Sequence, residues 1–336
     1  MQLKNLIRVF NRIAPPQYAC AWDKMIGLQL GRKDQEVKKV LITLDISEKL
    51  IDKAIKQKID LIFAHHALYF NEITKLDLNT PLGKKIEKLI KNNISVFIAH
   101  TNLDAAPEGV NWQLARQEGL EPEKCTVLEP TYSEKLFKYV VFVPEEALDK
   151  VHLAITAADA GHIGNYSDCT FRTQGEGTFR PLAGTNPHIG TLNKLEKVRE
   201  RKIETIVTED KLSILLNRVK EVHPYEEIAY DIYPLNNKGK TYGIGLIGKP
   251  IKELTINKKK IKKLAVCSGS GGSLIQKAYD KGANCLICGE AGYHDRLLAE
   301  ELGLELITKG HFETENIIIT PLKKRLKQEL PELTIL

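Results

Sequence analysis

Short apolar runs alternate along this chain with segments of helical periodicity, and the alternation predicts an α/β architecture. KKVLITLD (38–45) reads as a strand, SEKLIDKAIKQ as an amphipathic helix opening at a Ser47 N-cap, and IDLIFA as the next strand. NNISVFIA adds a further strand, and the helix GVNWQLARQEGL closes a first block near residue 130. The opening MQLKNLIRVFNRIAPP also has an amphipathic helical rhythm.

A second block repeats the first. KKVLITLDISEKLIDKAIKQKIDLIFAHH lies over KKLAVCSGSGGSLIQKAYDKGANCLICGE without a gap, pairing Leu50-Ile51 with Leu274-Ile275 and Lys53-Ala54 with Lys277-Ala278. Both are strand–turn–helix–strand units. Beyond them, His100-x-x-x-Asp104 and His311-x-x-x-Glu315 occupy equivalent places, each after an apolar strand and before a helical segment. These matches predict two related halves, 1–130 and 236–336, whose strand ends face a shared cleft. Chance likeness of two such units is the alternative, weakened by the matched His-x-x-x-acid positions.

The intervening 131–235 has its own rhythm. KLFKYVVFVP reads as a strand, EEALDKVHLAITAADA as a helix and CTFRTQGEGTFRPL as one or two strands. ETIVTED ends another element, followed by a helix in KLSILLNRVKEV and a strand in IAYDIYPL. The order approximates the βαββαβ ferredoxin-like plan. GHIGNY after the first helix and HPYEE after the second resemble PII/CutA-like domains, which commonly form trimers. His162, His188 and His223 are ligand candidates there, although isolated histidines near turns more often pack or hydrogen-bond.

With 336 residues, 43% of them hydrophobic, the chain can build two cores or one core with a large insertion. Its 49 basic and 43 acidic side chains leave a formal charge of only +6. The densest basic run, Lys258 to Lys263, has no interleaved aromatics to stack on bases and reads as a solvated turn, which argues against nucleic acid. The N-terminus lacks the apolar h-region and cleavage site of a secretory signal, and no apolar run reaches the ~20 residues of a membrane span. Cytoplasmic location is the expectation. Six scattered cysteines are expected as reduced thiols, and the CxxC pair Cys285 and Cys288, inside an apolar run with no second pair, as buried strand residues.

Candidate chemistry gathers in three polar clusters, each just after an apolar run: His65-His66 after LIFA, His100 and Asp104 in HTNLD, and His311 and Glu315 in GHFETE. Side chains at strand ends converge on one rim of a sheet, where imidazoles and carboxylates can jointly hold cations. Separate surface histidines are the alternative, which three clusters together make less attractive than one His pair would.

The ordered set AWDKMIGLQLG, HHALYF, AHTNLDAAPEGVNWQLA, CSGSGGSLIQKA, CGEAGYH and GHFETE resembles the NIF-three-like family, whose members include GTP cyclohydrolase 1 type 2 homologues. The likeness covers most of 1–130 and 236–336, and the middle segment matches the longer bacterial members, with their PII/CutA-like insertion. It implies a dinuclear metal centre with ligands His65, His66, Asp104, His311 and Glu315, and a ring-like homohexamer. Ala67 stands where the family commonly has Pro, and Glu313 where a small residue is frequent; all five ligand types are kept.

Three neutral imidazoles and two carboxylates suit two divalent ions, Zn, Mn or Fe, and the lack of thiolates argues against a closed structural zinc site. A helical turn would bring His311 and Glu315 to one face, and a carboxylate bridging two cations would hold them ~3.5–4 Å apart, an arrangement suited to hydrolysis. CSGSGGSL reads first as a tight structural turn and second as a phosphate cradle, its spacing fitting neither dinucleotide nor P-loop signatures. His100, Glu290 and His294 are candidates for groups behind the ligands or against a substrate. With no G-x-S-x-G elbow and no signature of a cysteine nucleophile, water activated by metal is the leading chemistry. Two functions remain open: metal-dependent hydrolysis of a nucleotide or another phosphate-containing small molecule, and a non-enzymatic metal-binding regulatory or assembly protein with a ligand-sensing insertion.

Overall fold

Ser47 caps the helix Glu48–Lys56 by accepting a hydrogen bond from the Leu50 amide at 3.2 Å, an arrangement that typically stabilises a helix by about 1 kcal/mol. That helix buries Ile51 and Ala54 and connects the strands Lys39–Thr43 and Leu61–Ala64, which pair in parallel with Val40 opposite Leu61. Ser95–Ile98 continues the parallel set beside Leu61–Ala64. Every residue of Leu61–Ala64 and Ser95–Ile98 is buried, as parallel strands covered on both faces require. One face packs on Leu3, Leu6 and Phe10 of the helix Leu3–Ile13, and the other on Ile51, Ile86 and Leu89. Gly27–Leu30 on one edge and Thr334–Ile335 on the other complete five strands.

The computed structural model describes residues 1–336 and divides into two units, Met1–Tyr132 with Thr241–Leu336, and Ser133–Lys240. A second parallel set in the first unit is built from Leu264–Ser270, Cys285–Glu290 and Glu305–Thr308, with Leu264 opposite Cys285 and Cys285 opposite Glu305. Helix Ile275–Asp280 connects its first two strands, so both blocks carry the strand–helix–strand unit read from the sequence repeat. Cys285 and Cys288 are buried in the middle strand, where burial pushes their thiols up to about 12 and about 11. They are neutral packing groups.

The Ser133–Lys240 unit follows the order strand, helix, strand, strand, helix, strand. Glu196–Thr208 lies antiparallel between Thr170–Phe179 and the second half of Thr126–Pro144. Tyr139, Val141 and Val143 alternate into a core closed by Val151 and Ile155 of helix Leu148–Ala157 and by Leu215 and Val219 of helix Leu212–Val222.

CTFRTQGEGTFRPL forms one strand, Thr170–Phe179, rather than two. Thr126–Pro144 and Tyr230–Gly248 are each 19 residues long and run through the sequence boundaries at 130 and 235. Their middle portions, rich in Ser, Lys and Asn, carry no apolar alternation that would mark a strand. Helix Pro81–Lys91, started by Thr80 accepting from the Gly83 amide at 3.0 Å, lies between the strands Leu61–Ala64 and Ser95–Ile98. No helix is long and apolar enough to cross a membrane.

Candidate metal centre

The site forms where strands of the first unit end. Backbone pairing continues past Ala64, the His65 amide bonding to Thr43 O and the His66 amide to Leu44 O, so both imidazoles project from a fixed main chain. His100 immediately precedes the short helix Thr101–Ala105 that carries Asp104, and His311 opens the helix His311–Asn316 that carries Glu315. The i, i+4 spacing brings His311 Nε2 to 3.0 Å from Glu315 Oε1.

His65, His66 and His311 converge on the Glu315 carboxylate. His66 Nε2 is 3.0 Å from Oε2, and His65 Nε2 is 3.8 Å from Oε1 and 3.7 Å from Asp104 Oδ1. Two sets of donors, His65, His66 and His100, and His66, His311 and Glu315, each place their ligand atoms within 4.8 Å of one another and can hold a metal ion. Asp104 belongs to neither set; its Oδ1 accepts from the Ser268 hydroxyl at 3.1 Å.

Each of the four rings is held by its other nitrogen. His65 Nδ1 faces Ala99 O at 2.9 Å, His66 Nδ1 faces Asp45 at 2.8 Å, His100 Nδ1 faces Asp23 at 2.9 Å and His311 Nδ1 faces Glu290 at 3.0 Å. Acceptors at every Nδ1 favour the tautomer whose Nε2 lone pair is free, the usual outer support of metal-ligating histidines.

Two buried atoms, His65 Nε2 and Glu315 Oε2, have no hydrogen-bond partner, although His66 Nε2 lies near the latter at a poor angle. Orphaned lone pairs at the centre of imidazoles and carboxylates fit a divalent cation, which would satisfy them without a hydrogen.

Electrostatics point the same way. Burial alone would lower His65 and His66, but Asp104 beside the first and Glu315 beside both reverse it, raising His66 and taking His65 up to about 9. Burial would raise Glu315, yet the two imidazoles hold it well below the usual carboxylate range. At Asp104 burial outweighs His65 and the carboxyl stays above that range. A proton thus takes the place of positive charge in a site shaped for more of it.

The glycine-rich segment 267–274 makes room for this centre. Gly269 has φ +60°, and a Cβ there would meet the Glu315 carboxylate and stand 3.3 Å from His311 Nε2. Its amide donates to Thr314 Oγ1 at 3.1 Å, fastening the loop to the helix that bears Glu315. His66, His100, Asp104, His311 and Glu315 line a cavity of about 680 Å³, with His65 buried behind them, and its wall includes Lys85, Ser268, Ser270 and the exposed rings of Trp22 and Phe70. Both rings stand edge-on to His100, at 6.0 and 5.8 Å between centroids.

Among the sequence candidates, His65, His66, His100, Asp104, His311 and Glu315 come together, and Glu290 supports His311. His294 does not: it is exposed on helix Tyr293–Glu301, beside Tyr293, and does not line the cavity. The sequence reading missed Asp45 and Asp23. Asp45 ends the apolar run LITLD and carried the same signal as the histidines. Asp23 lies 77 positions from His100 and accepts from the Thr101 amide and hydroxyl as well, a convergence no local pattern reveals.

The family model described as Duf34/NIF3 (NGG1p interacting factor 3) matches residues 1–336. A Bacillus subtilis protein named GTP cyclohydrolase 1 type 2 homolog is 38% identical over 330 residues, covering 92% of this chain and 88% of its own. A Halalkalibacterium halodurans protein of the same name is 39% identical over 350 residues, with 98% and 93% covered. Among solved structures, a Bacillus cereus protein related to NIF3 superposes with a TM-score of 0.89 at 38% identity, over 100% of this chain and 96% of that one.

Proposed function

The chain belongs to the Duf34/NIF3 family, and from that premise we propose that it is a cytoplasmic metal-dependent hydrolase acting on a nucleotide or a related phosphate-containing small molecule. Two divalent ions per chain, Zn, Mn or Fe, would be held by His65, His66, Asp104, His311 and Glu315. The supporting observation is that every imidazole at the site has its Nδ1 tied to an acceptor, while Nε2 of His65, His66 and His311 lies within 3.8 Å of the Glu315 carboxylate. Bound there, the cations would supply Lewis acidity and lower the pKa of water.

The chain's own groups do the rest. Asp45, Asp23 and Glu290 keep the rings oriented, so that little reorganisation accompanies reaction. His100, its Nδ1 proton shared with Asp23, offers its second nitrogen to accept or return a proton at the cavity wall. Trp22 and Phe70, exposed at the cavity wall, present flat apolar faces on which a base can stack. Lys85, whose ammonium donates to Ile46 O at 2.8 Å, adds positive charge suited to a phosphate. The name of the Bacillus subtilis relative makes ring-opening of GTP the first reaction to assay.

In the same proposal, 1–130 and 236–336 are the halves of one NIF-three-like domain, 131–235 is a ferredoxin-like, PII/CutA-like insertion, and six chains assemble into a ring. The test is elemental analysis and scattering mass of purified protein, then turnover of GTP and of simple phosphate esters with defined metals. About two ions per chain and turnover lowered at least ~100-fold in His65→Gln and Glu315→Gln are expected. Metal binding with no turnover above those variants would favour the non-enzymatic reading, and metal retained at full stoichiometry in both would remove the site.

A further inference from the structure

The segment His223–Glu227, HPYEE, and the loop after strand Thr170–Phe179 enclose a cavity of about 510 Å³ within the Ser133–Lys240 unit. Phe179, Leu182, Ile189 and the ring of Tyr225 give it apolar walls, Phe179 and Tyr225 standing 6.2 Å apart between centroids. The loop is tied down where the Asn186 amide donates to both oxygens of Glu226, at 3.1 Å each.

Two polar groups meet in this cavity. The Tyr225 hydroxyl is buried beside the Glu200 carboxylate, and burial together with that carboxylate pushes its ionisation up. Glu200 has no Lys or Arg at ion-pair distance: its neighbour Arg201 is taken by Glu145 at 2.8 and 3.1 Å, and Lys202 by Glu204 at 3.3 Å. Its carboxylate occupies space above Gly177, where a Cβ would collide with it. His223 brings no cation, since its Nε2 donates to Phe142 O at 3.0 Å while Nδ1 accepts from the Tyr225 amide at 3.2 Å. Arg180, exposed, and His188, which is 3.6 Å from Glu146 and 6.2 Å from Tyr225 between rings, also line the cavity, and neither is at ion-pair distance from Glu200.

A carboxylate with no Lys or Arg partner, a tyrosine hydroxyl oxygen beside it and aromatic faces in one apolar cavity are together the recognition chemistry of an organic cation. We propose that this cavity binds a small organic amine, its ammonium donating to Glu200 and Tyr225 and its apolar body lying against Phe179, Leu182 and Ile189. The site shares no residue with the metal centre and does not rest on hydrolase activity.

Calorimetry on the intact protein with three probes of one shape tests this: tryptamine, the neutral tryptophol and the anionic indoleacetate. Tryptamine is expected to bind about tenfold or more tighter than tryptophol, and indoleacetate more weakly than either. Glu200→Gln should bring tryptamine down to the tryptophol level with tryptophol unchanged, and Gly177→Ala, which displaces the carboxylate, should narrow the gap. Equal binding of the three probes overturns the proposal, as does a full preference for tryptamine in both variants. If circular dichroism shows Glu200→Gln to be unfolded, Gly177→Ala decides alone, and a preference unchanged in it overturns the assignment.

Discussion

At the scale of residues, the metal centre depends on which nitrogen of each ring is engaged. The donors themselves were legible in the sequence because His65, His66, His100 and His311 follow apolar runs, and strand ends carry chemistry. What held them was legible only in part: Asp45 shared that signal, whereas Asp23 meets His100 through the fold alone. His65 yields a prediction with opposite signs for stability and affinity. Its pKa in the fold, about 9, lies above the ordinary 6.5, so its pairing with Asp104 and Glu315 stabilises the metal-free protein fully below pH 6.5 and is lost as pH rises through about 9. A cation requires the neutral ring, so affinity should rise over the same window, by about tenfold per pH unit for each proton displaced. Titrations of Zn²⁺ or Mn²⁺ between those values, beside thermal melts of chelator-treated protein, measure both slopes. Affinity independent of pH would mean that His65 is not a ligand.

At the scale of elements, the repeat in the sequence corresponds to two parallel strand sets whose first two strands are joined by a helix, and the ligands stand just beyond the strand ends. The pattern was readable because buried parallel strands are continuous apolar runs. The glycine-rich segment was not, since turn chemistry alone does not tell a phosphate cradle from a place where a carboxylate needs room. At Gly269 the carboxylate needs the room: φ is +60°, and an added Cβ would collide with Glu315. Gly282 is the matched control, with φ +80° and nothing within 4 Å of an added Cβ. Gly282→Ala should cost about 1 kcal/mol of backbone strain and leave metal content unchanged. Gly269→Ala should cost about 1–3 kcal/mol and also reduce bound metal, because Glu315 must move. Denaturant melts and elemental analysis of the two variants separate strain from displacement; equal metal content would remove the carboxylate's part in the argument.

At the scale of the whole molecule, each unit has its own core. Tyr139, Val141, Ile155, Ile203 and Leu215 close one within Ser133–Lys240, while Leu6, Phe10, Phe63 and Phe97 anchor another in the first unit. The sequence signalled an inserted segment through its change of rhythm, but the polar middles of Thr126–Pro144 and Tyr230–Gly248 hid how far the strands extend. A homohexamer is written in surfaces between chains, which periodicity within one chain does not report. Every proposed metal ligand lies outside 133–240, so joining Tyr132 to Thr241 through a short turn should keep about the same metal per chain, while the excised 133–240 should fold and carry none at the centre. The join belongs at these residues rather than at 130 and 236, because cutting at 236 retains strand that loses its partners. Far-ultraviolet dichroism and metal analysis of the two pieces check the division. A shortened chain that folds but has lost its metal would make the insertion part of the centre, and the independence of the two cores would then extend to packing but not to chemistry.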